Sequence, residues 1–164
     1  MLTIIKYGNP VLRQVATEVF QSEETELLIN EMMETMLAAK GAGLAAPQVG
    51  KSLRLFIGEK EQKPNQQKEY EVYINPVILM TSETMNVCEE GCLSIPGIYE
   101  RVMRPAYIGV EYLDRNFKKQ TRTLLGWEAR VFQHEYDHID GVLFTDKITD
   151  QSRKLFVQEK LQGK

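Results

Sequence analysis

Histidine and cysteine are scarce in this chain of 164 residues, which has two of each and one tryptophan. Two cysteines, Cys88 and Cys92, cannot make a disulfide framework and suit a reducing compartment. No apolar run of about 18 residues is present to span a membrane. Met1-Leu2-Thr3-Ile4-Ile5-Lys6 lacks the apolar region of a signal peptide. No basic run occurs and the formal charge is −3, so nucleic-acid binding as a main activity has no support. A cytoplasmic protein with no membrane and no direct nucleic-acid partner is therefore expected. Repeats, low-complexity segments and linkers are also missing. The composition, 43% hydrophobic and 26% charged, is that of an ordinary globular chain, and residues 1–164 read as a single domain.

What is present is concentrated. Both histidines lie in Gln133-His134-Glu135-Tyr136-Asp137-His138, an H-E-x-x-H pattern. Residues four apart on a helix share one face, so His134 and His138 can grip one metal ion. Glu135, part of a turn round the helix, can reach a water on that ion. A pair of hydrogen-bonded core histidines is the blander explanation, and chance placement of the only two histidines in this pattern is improbable.

Two imidazoles leave a tetrahedral ion short of ligands, and no third histidine exists. Glu90-Gly91-Cys92-Leu93-Ser94 offers a thiolate beside a glycine. Cys92 with the two histidines would keep one position open, the catalytic arrangement. The rival adds Cys88 and closes a structural Cys₂His₂ site. Against it stand the long interval from Cys92 to His134 and the idleness it would impose on Glu135.

Along the chain, residues 1–20 read as an arm strapped over the core, with a turn at Gly8-Asn9-Pro10 and apolar Val11, Leu12, Val15 and Val19. Ser22 caps a helix with Glu23, Glu24 and Glu26 in its first turn and a Met-rich core stripe, ended by Gly41 and Gly43. Gly41-Ala42-Gly43-Leu44-Ala45-Ala46-Pro47-Gln48 is a tight small-residue turn or a ligand-facing loop. Strands are expected over Arg54–Gly58, Tyr70–Ile74 up to a break at Asn75-Pro76, and within Val77–Val87. A hairpin joins Tyr107–Leu113 to Gln120–Leu125. The motif helix runs from about Trp127 to Asp140, stopped by Gly141. Asp150 caps a last helix with Leu155, Phe156 and Leu161 on its apolar side.

Three stretches together resemble the peptide deformylase family: Gly41 to Gln48, Glu90 to Ser94 and Gln133 to His138, in the family's order and at similar separations. The flanks Gly8-Asn9-Pro10-Val11-Leu12-Arg13 and Gly141-Val142-Leu143-Phe144 resemble it too. The resemblance implies a hydrolase that removes the formyl group from the N-terminal formyl-methionine of new polypeptides and releases formate. It implies an α+β fold, with mixed or antiparallel sheets wrapped around the central metal-binding helix, an N-terminal helix and a short C-terminal helix. It implies Cys92, His134 and His138 as ligands of Fe(II), with zinc, nickel or cobalt able to replace it. Glu135 is then the general base, while the Gln48 side chain and the Leu93 backbone N–H stabilise the oxyanion. Gly43 pairs with the peptide, and the first side chain sits near Ala42, Val131 and His134.

Departures concern specificity. Trp127, Glu128 and Arg130 stand where members often carry small aliphatic residues, and Arg130 either snorkels out of the pocket wall or reshapes it. Arg101 is the candidate for the basic residue that holds the peptide. Glu90 and Arg104 are a candidate ion pair behind the cysteine loop. A ribosome contact through Arg153, Lys154 and Lys160 is a secondary expectation, after a solvated face. A zinc endopeptidase and a non-enzymatic module with the closed metal site are the alternative functions.

Overall fold

The computed structural model describes residues 1–163. Helix α1 spans Glu23–Ala38, with the Ser22 hydroxyl accepting from the Thr25 N–H. Strands β1 (Gly43–Ala45), β2 (Leu55–Glu59) and β3 (Tyr70–Thr81) follow, then the pair β4 (Met85–Cys92) and β5 (Ile95–Pro105). Strands β6 (Tyr107–Leu113) and β7 (Lys119–Leu125) lead into helix α2 (Gly126–Ile139), and α3 (Gln151–Gln162) comes last. The fold is α+β. One sheet has the order β1-β2-β3-β6-β7, the other is the β4-β5 hairpin, and all strand pairings are antiparallel.

Strand alternation explains why the central segments of β2 and β3, Leu55–Ile57 and Val72–Ile74, are apolar on both faces. Leu55, Ile57, Val72 and Ile74 face α1 and pack with Ile29, Met32 and Met36. Phe56 and Tyr73 point the other way, onto Phe132 and Ile139 of α2. The rings of Phe56, Tyr73 and Phe132 meet at centroid distances of 4.9 to 5.1 Å. A third cluster joins Val102 and Ile98 of β5 to Phe144, Val157 and Leu161. Helix α2 is thus enclosed between the large sheet and the β4-β5 hairpin.

Several local features differ from the sequence expectations. The helix α1 ends through Lys40, at φ 57°, and Gly43 lies within a strand. Asn75-Pro76 does not end a strand: Asn75 forms a bulge at φ 48°, and β3 continues beyond it. The Asn75 amide holds the arm there, donating to Val19 O and accepting from Val19 N–H. Val15 of the arm and Leu155 and Phe156 of α3 are exposed, while Ala16 and Val157 take the buried positions. Strand β5 has no counterpart in the sequence reading.

The arm does act as a strap. Ile5 N–H donates to Gln48 O, Tyr7 N–H to Ser94 O and Ala16 N–H to Ile139 O, tying the first two motif stretches to the end of α2. Past the end of α2, Val142 N–H bonds Asp137 O and Gly141 N–H bonds His138 O, a Schellman stop. Gly141 sits at φ +74°, and a methyl there would lie 2.5 Å from Arg13 O. Gly141→Ala is therefore expected to lower unfolding free energy by about 3 kcal/mol, measured by urea denaturation, because strain and a backbone clash coincide.

Candidate active site

A cleft of about 460 Å³ opens between β1, the Cys92 loop and α2, lined among others by Gly43, Gln48, Leu93, Trp127, Val131 and Glu135. Cys92 and His134 line it, and together with the buried His138 each offers a ligand atom, all within 4.8 Å of one another. Cys92 Sγ lies 3.3 Å from His138 Nε2. Donors at zinc-like bond lengths in a tetrahedron stand about 3.5 Å apart, so the trio matches a metal site in element and spacing. Cys88 is outside this group. It lies four residues back along β4, opposite Val102, with its Sγ on Glu89 O.

Charge around the trio also favours a cation. His134 Nδ1 faces Glu90 Oε1 at 2.9 Å, which leaves Nε2 for the cluster. Burial alone would lower the His134 pKa, but Glu135, Cys92 and Glu90 outweigh it and raise the pKa well above the usual value. A nitrogen in so anionic a setting attracts a cation, and a divalent ion competes for it with the proton. Burial, with His134, Arg104 and Arg13, pushes His138 well below the usual value, toward the neutral form that ligates.

Glu135 is 4% exposed, and its Oε1 finds no hydrogen-bond partner among the described residues. Burial raises its carboxyl to about 7, although His134 opposes the shift. A methyl on Gly43 would lie 2.6 Å from Glu135 Oε2, so only glycine lets β1 approach this carboxylate.

Gln48 is oriented by its own bonds. Its Oε1 accepts from Ala45 N–H at 2.9 Å, which turns the Nε2 donors toward Ser94 Oγ at 3.1 Å and Cys92 Sγ at 3.5 Å. Leu93 lines the cleft and presses its Cδ1 against Gly41. Glu59 N–H bonds Ala42 O and Gly43 stands opposite Gly58. Antiparallel alternation then points the Gly43 N–H and C=O away from β2, toward the unpaired edge of the sheet.

Glu90 anchors the other wall. Arg104 grips it through Nε at 2.6 Å and Nη2 at 3.0 Å, and Arg104 Nη1 reaches Asp137 at 2.8 Å. Burial would raise the Glu90 pKa, but His134 and Arg104 together hold it below the usual carboxylate range. Arg130 does not snorkel outward; its guanidinium turns inward to Glu90 at 2.7 Å. Glu128 pairs with Arg122 instead of entering the cleft. Trp127 remains in the cleft wall, its Nε1 donating to Glu59 Oε2 at 2.6 Å.

Arg101 stands apart from the other site candidates. It is exposed on the outward face of β5, opposite Glu89, and is not part of the cleft lining. Its neighbour Tyr99 forms the rim, with the ring laid against Gly91. Two polar residues were missed from the sequence. Ser94, fully buried, fixes Gln48, and Lys6 of the arm donates to Leu93 O at 3.3 Å. Ser94 lies within the cysteine motif, but its bond to Gln48 and that of Lys6 to Leu93 join residues far apart in sequence.

Residues 1–154 match the family model described as polypeptide deformylase. The chain belongs to the peptide deformylase family. The peptide deformylase of Flavobacterium psychrophilum is 45% identical, over 99% of this chain and 90% of that one. Among solved structures, the Plasmodium falciparum deformylase in complex with an inhibitor has a TM-score of 0.87 at 38% identity, covering 98% of this chain and 97% of that one. The Met-Ala-Ser-bound deformylase of Acinetobacter baumannii has a TM-score of 0.84 at 35% identity, covering 90% and 98%. This chain is accordingly a hydrolase of the deformylase type, acting on the N-formyl group of nascent polypeptides. The family is metal-dependent, and the Cys92–His134–His138 group is a possible site for the ion. No helix among the described residues is long and apolar enough to cross a membrane.

Proposed function

We propose that Cys92, His134 and His138 hold one Fe(II), and that this cytoplasmic enzyme uses it to hydrolyse the formamide of formyl-methionyl peptides. One thiolate with two imidazoles is a borderline-soft set that also accepts zinc, nickel or cobalt. When bound, the ion supplies Lewis acidity and lowers the pKa of a water. The observation that carries the reading is the convergence, in one cleft, of this open donor trio, a buried carboxylate and a free strand edge. A closed Cys₂His₂ module would need Cys88 in the cluster.

The chain's own residues account for the remaining steps. The formyl-peptide adds as a strand along β1, exchanging hydrogen bonds with Gly43 N–H and C=O. Its first side chain enters the pocket near Ala42, Val131 and His134. Water attacks the formyl carbon while Glu135 takes its proton, then returns it to the amine nitrogen as the C–N bond breaks. Formate and a free N-terminal amine result. The Gln48 amide, turned by Ala45, and the Leu93 backbone N–H donate to the oxygen on which negative charge grows.

Arg101 is not retained as a peptide contact, since its strand face turns it from the cleft. A ribosome contact through Arg153, Lys154 and Lys160 is not favoured either. Arg153 already pairs with Glu100 and lies over the Phe156 ring, at 4.6 Å. Anaerobic purification with metal analysis, followed by a formate-release assay on formyl-Met-Ala-Ser, tests the proposal. Formate with no internal cleavage is expected; cleavage of internal peptide bonds would instead assign an endopeptidase.

A further inference from the structure

We propose that Arg130 is a positioning residue that locks the hairpin carrying Cys92 onto the helix carrying both histidines, and so sets the geometry in which the three donors meet an ion. The inference rests on the reading that Cys92, His134 and His138 are the ligands.

The donors come from two separate elements. Cys92 ends β4, whereas His134 and His138 lie on α2. Something must hold the hairpin against the helix to within a few tenths of an ångström. Arg130 of α2 is buried, although it lines the cleft. Its Nη1 donates to Glu90 Oε2 at 2.7 Å and to Val102 O at 3.0 Å, and its Nη2 to Asn86 O at 3.1 Å. A single guanidinium thus bonds both strands of the hairpin and the carboxylate behind His134.

Removing that fork acts on the ligand through Glu90. At present each Glu90 oxygen has two partners: His134 and Arg104 on Oε1, Arg104 and Arg130 on Oε2. Without Arg130, Oε2 keeps only Arg104, which is also drawn toward Asp137. The carboxylate can then turn, and its grip on His134 Nδ1 loosens. Two strand carbonyls, Asn86 O and Val102 O, lose this donor in the same step. Three of the five guanidinium N–H donors are spent on the hairpin, which directs the fork away from a substrate role. Lysine cannot substitute, since one ammonium does not span bonds that diverge from a planar fork.

Cobalt(II) provides a readout separate from turnover. Arg130→Met keeps an apolar stem and removes the clamp. It is expected to weaken cobalt affinity about tenfold in chelator competition, the low end for a partner outside the ligand set. Its cobalt absorption bands should shift, and kcat should fall with KM unchanged. Arg130→Lys should recover only part of each change, and it carries the same readouts if Arg130→Met does not fold. A variant with parent-like affinity and bands overturns the inference, even if its melting temperature drops. A change in KM alone also overturns it, making Arg130 a pocket wall. Wild-type protein that takes up no cobalt overturns the ligand assignment and this inference together.

Discussion

Glu135→Ala is expected to bind its divalent ion as the parent does and to lower kcat on formyl-Met-Ala-Ser about a thousandfold, within the range for loss of a general base. The protein should survive the change, because two structural effects oppose each other. Truncation leaves a small cavity beneath Gly43. It also removes a buried carboxylate whose Oε1 has no partner, a group that costs about 1 to 3 kcal/mol to bury unpaired. The thermal midpoint should therefore stay close to that of the parent, so lost turnover cannot be charged to unfolding. Glu135→Gln separates proton transfer from packing. It keeps the size and the contact with Gly43 but cannot cycle a proton at neutral pH, and it should lose as much activity as alanine. An alanine variant within about tenfold of the parent would remove Glu135 from its proposed role, since a positioned base contributes at least about a hundredfold.

The helices were legible in the sequence because their signals are local. Ser22 and Asp150 cap α1 and α3 through their own side chains, and Gly141 stops α2 in a left-handed turn. The hairpin from β6 to β7 was legible for the same reason: Asp114 bonds the backbone of Asn116 and Lys118 within the turn. Strand β5 shows where such reading ends. Its inward face runs Ile98, Glu100, Val102, Arg104, so charged residues occupy positions where alternation should show apolar ones. Those charges are buried because Glu100 meets Arg153 and Arg104 meets Glu90. Neither partner is near in sequence, so alternation gives no strand signal there.

The same limit divides the site. The trio, Glu135 and Gln48 could be singled out because their residue types are chemically distinctive and sit in short motifs. Arg130 could not be placed: a lone arginine on a helix resembles a solvated residue until Glu90, on another strand, is seen beside it. On the apolar side expected for α3, Leu161 is buried, but Leu155 and Phe156 are exposed and Val157 lies inside, with Phe156 under Arg153. Phe156 makes a cation-π contact with Arg153 at the surface instead. Local chemistry thus singled out the candidate reacting groups, while long-range packing decided which charges lie against them.

Cys92→Ser and Cys88→Ser should separate completely. Outer hydrogen-bond partners of a metal ligand cost about 10- to 100-fold in affinity, so loss of the thiolate itself should weaken binding by more than about 100-fold. With the ion goes its Lewis acidity, and turnover should fall to background. Cys88→Ser should keep both metal and activity, because Cys88 Sγ rests on Glu89 O and lies outside the donor trio. Chelation of the parent offers a third comparison. The three hydrophobic clusters do not depend on the ion, so the stripped protein should remain folded by circular dichroism. It should melt at a lower temperature, because binding to the native state alone adds stability. Equal metal loss in the two cysteine variants, together with unfolding on chelation, would instead describe a closed structural site. Cys88 would then have to turn toward the two imidazoles, at the expense of its pairing opposite Val102 in the β4-β5 ladder.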